Sequence, residues 1–366
     1  MKNPLNKRLL RELRTESGKY AVIFLFMVLT IGLESGDLVA SDSMIATCNQ
    51  RYEKYHVENG HFHLKQKMKD EAVNKIEKED VMVYPDFYVE RSYKGKDKKE
   101  KTLRIYESRD EINQLCIMDG SLPEKDNEIV IDRMFADNNK TKTGDILSID
   151  GKDYTVSGLV SFSDYTTMFQ NNSDMMFDSV NFGVAMGTKS EFESLSDRNL
   201  TYNYAWTYNA GDPADDMEEK KWSDDLLETV VDAAGEGGGA TALGSMLGVL
   251  NMDNGIDDYV PRYTNQAMNF AGDDLGSDRG SMLAFLYILI AVLAFIFGVT
   301  ISHTITKEAT VIGTLRASGY TRGELFRHYI SMPIIVTLLA ALVGNILGFT
   351  YMKGVISDLY YSSYSL

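Results

Sequence analysis

The chain has little of what several common protein classes require. It has two cysteines, Cys48 and Cys116, which are too few for a disulfide framework. Two free thiols and a single bridge both fit this number, and two free thiols are the favoured interpretation. Basic residues are also in deficit, with 37 Lys and Arg against 53 Asp and Glu. The net charge of −16 excludes a nucleic-acid partner, because phosphate binding needs a basic surface.

Motifs for catalysis or cofactor binding are missing as well. The glycine-rich stretch at residues 233–248 (AAGEGGGATALGSMLG) is not followed by the Lys-Ser/Thr pair of a P-loop, so a flexible connection is favoured over a phosphate cradle. His61 and His63 would share one face of a strand, but two histidines without a third ligand are weak evidence for a metal. The sequence therefore predicts no catalytic, cofactor or metal site.

Three long apolar runs stand out from an otherwise polar chain: residues 20–33 (YAVIFLFMVLTIGL), 282–302 (MLAFLYILIAVLAFIFGVTIS) and 332–352 (MPIIVTLLAALVGNILGFTYM). The second and third carry no charge and are long enough to cross a membrane. The first reaches that length only if Glu34 and Asp37 lie at or beyond the outer interface.

Two other interpretations of these runs are weaker. Buried core helices seldom run five turns without a charge, which disfavours a globular origin for the second and third runs. A cleaved signal peptide is compatible with the first run and its basic leader. Because the leader is long and two further spans follow, a retained membrane helix is favoured.

Orientation follows from the flanking basic residues. Residues 1–19 carry six Lys and Arg against two Glu, and the loop between the last two runs is also basic. The positive-inside rule places both segments in the cytoplasm. In the leader, an apolar stripe opposite the basic residues predicts a helix on the inner membrane surface; the stripe is Leu5, Leu9, Leu10 and Leu13.

The predicted order is a cytoplasmic leader (1–19), a first span (20–40), an extracytoplasmic domain (41–280), a second span (281–303), a cytoplasmic elbow (304–330), a third span (331–353) and an extracytoplasmic end (354–366). The domain of about 240 residues is long enough for its own core. Alternating apolar positions predict strands at 61–68, 81–90, 129–131, 145–149 and 154–160, and helices at 65–79, 188–197 and 213–233. Asp150 and Gly151 indicate a tight hairpin turn. The predicted class is an α-helical membrane bundle of three spans with an α+β extracytoplasmic domain.

The elbow at residues 304–330 (TITKEATVIGTLRASGYTRGELFRHYI) is the most informative segment. Gly319 is suited to the position just past a helix end. Thr321 and Glu324 then fit a capping box at the start of the next helix. Two capped helices with an apolar side and a basic tip favour a docking element over an ordinary loop.

Residues 308–325 (EATVIGTLRASGYTRGEL) resemble the signature loop of FtsX-like ABC permeases, whose core is Ile-Gly-x-Leu-Arg-Ala-x-Gly. Residues 120–123 (GSLP), 127–131 (NEIVI), 144–145 (GD) and 154–158 (YTVSG) look like the MacB-type periplasmic core domain. The order of span, large domain and two spans also matches. Many family members have an acidic residue directly before Ile-Gly, where this chain has Val311, which removes the basis for assigning a particular ion pair with an ATPase.

This resemblance is to a type VII permease, and it implies that the chain is a non-catalytic subunit in a bacterial cell membrane. A separate ABC ATPase would bind ATP and Mg²⁺, and this chain would bind no cofactor. Other implied partners are membrane lipid and a second permease copy or repeat. ATP hydrolysis would move the extracytoplasmic domain, for export of a peptide, antibiotic or lipoprotein or for control of a cell-wall enzyme.

The implied ATPase-coupling residues all lie in the elbow: Lys307, Glu308, Ile312, Gly313, Leu315, Arg316, Gly319, Tyr320, Thr321, Arg322 and Glu324. The family has a fourth span, so the sequence is expected to be the first repeat of a longer Gram-positive permease. The rival hypothesis is a membrane-anchored sensor or scaffold whose external domain binds a ligand without ATP-driven movement.

Overall fold

A computed structural model describes residue 14 and residues 17–194, 200–234 and 256–365. The leader stripe and nearly all of the glycine-rich stretch lie outside these residues. The chain divides into two compact units. The helical unit comprises residues 1–45 and 274–360, and the α+β domain comprises residues 46–273 and 361–366.

In chain order the helices are α1 (Ser17–Lys54), α2 (Asp70–Ile76), α3 (Arg133–Asn138), α4 (Lys189–Glu193), α5 (Asp216–Ala234), α6 (Gln266–Lys307), α7 (Ala309–Ala317), α8 (Arg322–Leu347) and α9 (Lys353–Ser363). The strands are β1 (Gly60–Leu64), β2 (Val81–Pro85), β3 (Tyr88–Lys94), β4 (Glu100–Tyr106), β5 (Leu115–Gly120), β6 (Glu128–Asp132), β7 (Ile146–Ile149), β8 (Lys152–Phe162), β9 (Phe182–Met186), β10 (Tyr202–Tyr208) and β11 (Ile256–Pro261).

Three helices of the described chain are long and apolar enough to cross a membrane. They are α1, α6 and the nearly continuous helix from Arg322 to Ser363, in which a π-helical turn at Gly348–Met352 joins α8 to α9. Each extends beyond the apolar run that predicted it, because helical backbone bonding continues into the polar flanks.

Glycines bring α1 into close backbone contact with α8 and with the π-helical turn that follows α8. A Cβ added at Gly344 would lie 2.9 Å from Ile31 Cβ, and one at Gly36 would lie 2.6 Å from Met352 Cβ. Small residues at such positions allow membrane helices to approach closely. The buried contact around them is apolar and includes Met27, Val28, Met332, Val336 and Ala340.

Glu34 and Asp37 are both buried by protein, with 3% and 5% of their surfaces exposed. Neither carboxylate oxygen of Glu34 has a hydrogen-bond partner among the described residues. Carboxylates in such an apolar helix are costly to retain.

The α+β domain contains two sheets. The first is antiparallel, in the order β11-β1-β10-β2, and α2 and α5 cover it. Its core surrounds Phe62, Ile76, Trp206, Leu226 and Val230. The predicted strand at 61–68 corresponds to β1, which ends earlier, at Leu64. The predicted strand at 81–90 is divided: β2 ends at Pro85, which cannot donate to a ladder, and the rest begins β3 in the second sheet.

The second sheet closes on itself. Its order is β5-β8-β6-β9-β4-β3-β7, and β7 also pairs with β8, so six strands form a ring with β5 attached to β8. Closure removes the exposed edges that an open sheet presents. The ring is filled by buried side chains including Leu103, Ile129, Ile131, Phe135 and Val156.

Local turns and strands within this ring agree with the sequence patterns. The hairpin between β7 and β8 turns at Asp150 and Gly151, whose φ angles are 48° and 82°. Positive φ at both central residues is what a type I′ turn requires, so the predicted turn is confirmed.

Cys48 and Cys116 are both free thiols in the structure.

Candidate functional site

The elbow between α6 and α8 is built from two helix ends and one short helix. Helix α6 ends at Lys307, α7 occupies Ala309–Ala317, and α8 begins at Arg322. Gly319 has φ +97°, a conformation that favours glycine, and it lies where the chain reverses between α7 and α8.

The predicted capping box at the start of α8 is confirmed. The Glu324 backbone N–H donates to Thr321 Oγ1 at 3.2 Å, and the Thr321 backbone N–H donates to Glu324 Oε2 at 2.8 Å. These bonds satisfy two donors that a helix start would otherwise leave open. The direction in which α8 leaves the elbow is therefore fixed locally.

Two further contacts stabilise the elbow. Tyr329 Oη donates to Glu308 Oε2 at 2.5 Å, which connects α8 to the residue between α6 and α7. Arg316 Nη1 donates to the Tyr320 carbonyl oxygen at 3.2 Å, across the reversal. A cation at the end of a helix also interacts favourably with the last carbonyls.

An apolar groove of about 350 Å³ opens between the elbow helices. Its walls are almost entirely hydrocarbon and aromatic, with two guanidinium side chains among them. The lining residues are Ile301, Ile305, Ile312, Arg316, Arg322, Leu325, Phe326, Tyr329 and Ile330.

The surface around this groove is exposed. Helix α7 has no buried residue in the described structure. Phe326 has 68% of its surface exposed, and Ile305 and Val311 are exposed as well. Contiguous exposed apolar surface rimmed by polar groups is typical of an interaction site.

The predicted coupling residues divide into two groups. Ile312, Arg316 and Arg322 line the groove. The others lie around it, at helix ends, in the capping box, in the reversal or along α7: Lys307, Glu308, Gly313, Leu315, Gly319, Tyr320, Thr321 and Glu324. Their part in coupling remains a prediction.

Sequence reasoning missed most of the apolar lining of the groove. The sequence pattern predicts for Phe326 and Tyr329 only a place in the helix that leads into the third span. The signal was present in the spacing, because Ile301 and Ile305, and likewise Leu325 and Tyr329, lie four residues apart and share a helix face.

His61 and His63 stack in β1 with ring centroids 5.3 Å apart and planes 15° from parallel. Among residues 17–194, 200–234 and 256–365, no three His, Cys, Asp or Glu side chains are grouped as a metal site.

The C-terminal part of the chain is similar to a known protein family. Residues 283–366 match the family model "FtsX-like permease C-terminal". No curated protein matches the sequence.

Solved structures similar to the chain include two transporter domains. The extracellular domain of the noncanonic ABC-type transporter YknZ from Gram-positive bacteria is 14% identical, with 48% of this chain and 95% of that chain covered and a TM-score of 0.27. The periplasmic region of MacB from Actinobacillus actinomycetemcomitans is 14% identical, with 47% of this chain and 84% of that chain covered and a TM-score of 0.28. The matched family segment contains the last part of α6, the whole elbow and α8. Residues 283–366, which include the signature loop, are thus similar to the C-terminal part of FtsX-like permeases, the family that the loop predicted.

Proposed function

We propose that this chain is the permease subunit of an ABC transporter and couples ATP hydrolysis by a separate ATPase to movement of its α+β domain. The observation that carries the proposal is the exposed apolar groove of the elbow, which lies within the FtsX-like region. The α+β domain would be extracytoplasmic, and the elbow and N-terminus cytoplasmic, in a multi-pass protein of the bacterial cell membrane.

The occupant of the groove would be the ATPase, through a surface with an apolar projection and acidic residues beside it. The apolar walls would receive the projection, and Arg316 and Arg322 would pair with the acidic residues. Burial of the Phe326 side chain alone would contribute about 1–2 kcal/mol, since about two thirds of it is exposed in the free protein. The ATPase, rather than this chain, would bind ATP and Mg²⁺.

Helix α6 would transmit the movement. It runs unbroken for 42 residues from Gln266 at the end of the α+β domain to Lys307 at the elbow. At 1.5 Å per residue this is about 60 Å of continuous helix. A displacement of the elbow would therefore reach the α+β domain through one stiff element.

A second permease copy or repeat would pack on α6, with lipid covering the remaining apolar surface. None of the apolar window of α6 is buried in the chain, and a Cβ added at Gly298 meets nothing within 4 Å. Ala294 and Gly298 lie four residues apart, a spacing that permits close helix approach.

Photo-crosslinking in intact cells tests the elbow proposal. A crosslinking amino acid replacing Phe326 should capture a protein with Walker motifs, identified by mass spectrometry. The control replaces Met175, which is 96% exposed in the α+β domain, and should capture no ATPase. Equal capture from both positions, or none from Phe326, would contradict the proposal.

A matched pair of variants tests whether this contact transmits activity. Phe326→Asp and Met217→Asp each place a carboxylate on an exposed apolar position, the first in the elbow and the second in the α+β domain. We expect Phe326→Asp to abolish co-purification of the ATPase and its stimulation by the permease, while Met217→Asp leaves both unchanged. A sensor or scaffold without ATP-driven movement would show no ATPase in either preparation.

A further inference from the structure

The α+β domain contains a polar cavity of about 100 Å³. Residues from β1, β3, β4, β10 and β11 and from the segment 164–172 surround it. Charged and polar side chains dominate the lining, which also includes aromatic rings: His61, His63, Asp86, Tyr88, Arg104, Tyr106, Asp164, Tyr165, Phe169, Gln170, Asn171, Asn172, Asn203, Asp258 and Asn265.

Two buried carboxylates of this cavity share one arginine. Arg109 donates from Nε and Nη2 to the two oxygens of Asp86, at 2.7 and 2.8 Å. Its Nη1 donates to Asp164 Oδ1 at 2.9 Å. One guanidinium therefore compensates two buried negative charges.

The second arginine is also largely engaged by the protein. Arg104 donates from Nε and Nη2 to Glu90 Oε1, from Nη1 to Tyr165 Oη, and from Nη2 to the Gln170 carbonyl oxygen. Glu90 is its ion-pair partner at 2.6 Å. Both guanidinium groups are thus paired with carboxylates, so neither presents an uncompensated positive charge to an anion.

One hydrogen-bond acceptor of the cavity, by contrast, has no donor within the described part of the chain. Asn203 is 2% exposed, and its Nδ2 donates to Asp86 Oδ2 at 3.1 Å. Its Oδ1 has no hydrogen-bond partner among the described residues. A buried carbonyl oxygen without a donor costs free energy, so a ligand that brings a donor would be favoured here.

Charge around the cavity points to the same ligand. Asp86, Asp164 and Asp258 line it, with Glu58 and Glu90 bonded to its walls, and the opposing cations are Arg104, Arg109 and His61. Burial raises the pKa of Asp164 to about 6 despite the nearby Arg109. Burial also raises the pKa of Asp86, and it lowers the pKa of His63 well below the ordinary range, so His63 adds no positive charge.

We propose that this cavity binds a primary ammonium group, through Asn203 Oδ1 and the carboxylates of Asp86, Asp164 and Asp258. An ammonium has three donors and one positive charge, which match the free acceptor and the excess of carboxylates. The volume is below the 300–1,000 Å³ of a typical ligand pocket, so it would hold one alkylammonium and not a whole drug-sized molecule. The site does not depend on the elbow binding an ATPase.

The ammonium group has two candidate sources, a small free amine and a lysine side chain of a peptide. The choice of probes distinguishes them. Calorimetric titration of the full-length protein in detergent would use n-butylammonium chloride and the blocked tripeptide acetyl-Gly-Lys-Gly-amide. Sodium butyrate serves as the anionic counterpart of similar size. Binding of either ammonium probe with a Kd below 50 mM, and at least tenfold more tightly than butyrate, is the expected result. If only one of the two ammonium probes binds, it identifies the source.

Variants connect the binding to the named atoms. Asn203→Leu removes the free acceptor at similar volume and should weaken ammonium binding at least tenfold. Asp258→Asn, at an exposed position of β11, should weaken it about threefold. The control is Asp257→Asn, because Asp257 is exposed on the same strand but does not line the cavity, and its affinity should equal that of the unaltered protein. Should Asn203→Leu fail to fold, the two aspartate variants still decide the outcome.

Acid should weaken the binding. As pH falls from 7.5 to 5.5, Asp164 takes up a proton with its pKa of about 6, so affinity should fall about fourfold from this group alone. The Glu58 carboxylate outweighs the effect of burial and raises the pKa of His61, so a proton taken up by His61 as pH falls would act in the same direction. Absence of binding by both ammonium probes at 50 mM, equal binding of butyrate, or unchanged affinity in Asp258→Asn and, where it folds, in Asn203→Leu would overturn the proposal.

Discussion

Replacement of Gly319 by alanine should loosen the elbow through backbone conformation alone. The φ of Gly319 is +97°, yet a Cβ at this position meets nothing within 4 Å. The penalty is therefore conformational and not a clash, and an L-residue held at positive φ costs about 1–2 kcal/mol. Since the α7–α8 reversal depends on this residue, the cost should appear as local opening of residues 309–321.

Gly323 provides the matched control four residues away. It lies in the first turn of α8, has an ordinary helical conformation, and likewise has nothing within 4 Å of an added Cβ. Alanine there should raise local stability by up to about 0.5 kcal/mol, because it reduces the freedom of the unfolded chain. The two variants thus make the same chemical change with opposite expected signs.

Amide hydrogen exchange of the full-length protein in detergent measures the difference. In Gly319→Ala, the amides of α7 should exchange roughly 5- to 30-fold faster, as 1–2 kcal/mol of lost local stability requires. In Gly323→Ala they should exchange at the original rate or more slowly. Equal acceleration in both variants would refute the assignment of the reversal to the conformation of Gly319.

Three further predictions concern packing and buried charge. Gly344→Ala should lower the thermal unfolding temperature, because its Cβ would lie 2.9 Å from a side-chain carbon of α1. Gly354→Ala is the control and should leave this temperature unchanged, because an added Cβ there meets nothing within 4 Å. Equal unfolding temperatures of the two variants would contradict the close contact. Arg109→Met should destabilise the α+β domain by about 3–5 kcal/mol in denaturant unfolding, since it leaves two buried carboxylates without their cation. A decrease in the free energy of unfolding below about 1 kcal/mol would show that these ion pairs are not desolvated. Burial raises the pKa of Asp132 from 3.8 to about 6, so its contribution to stability is present at low pH and is lost as pH rises from about 4 to above 6. Asp132→Asn should therefore stabilise the protein by up to about 3 kcal/mol at pH 8 and have little effect at pH 4, as thermal unfolding at both pH values would show; an equal gain at both would exclude titration as its cause.

Local features of this fold could be predicted because adjacent residues determine them. The turn at Asp150 and Gly151 needs positive φ at two positions, and the capping box needs only Thr321 and Glu324. Strands β6, β7 and β8 were identified from runs of β-branched residues with turns between them. Strand β10 (YNYAWTY) was missed, since its first five residues are all buried and the pattern does not alternate.

Features that depend on distant residues could not be predicted. Closure of the second sheet requires β4 to pair in parallel with β9, in the register Thr102 to Phe182, and no short-range pattern specifies this. The polar cavity likewise collects Asp86, Asp164 and Asn203 from three separate parts of the chain. In the elbow, residue spacing is sufficient to predict the turn, whereas the groove depends on how α6 and α8 lie side by side.

The glycine contacts between α1 and α8 also restrict how the helical unit can move. With Gly36 against Met352 and Gly344 against Ile31, neither helix can slide past the other without a backbone collision. Sliding of one helix along the other therefore requires the two backbones to separate first. Helix α6 packs on this pair through the half-buried Leu293, Ile296 and Phe297 and through the Arg279–Asp42 ion pair, and a Cβ added at Gly298 would make no close contact. Within this unit, side chains hold α6 in place, whereas close backbone approach holds α1 against its neighbour.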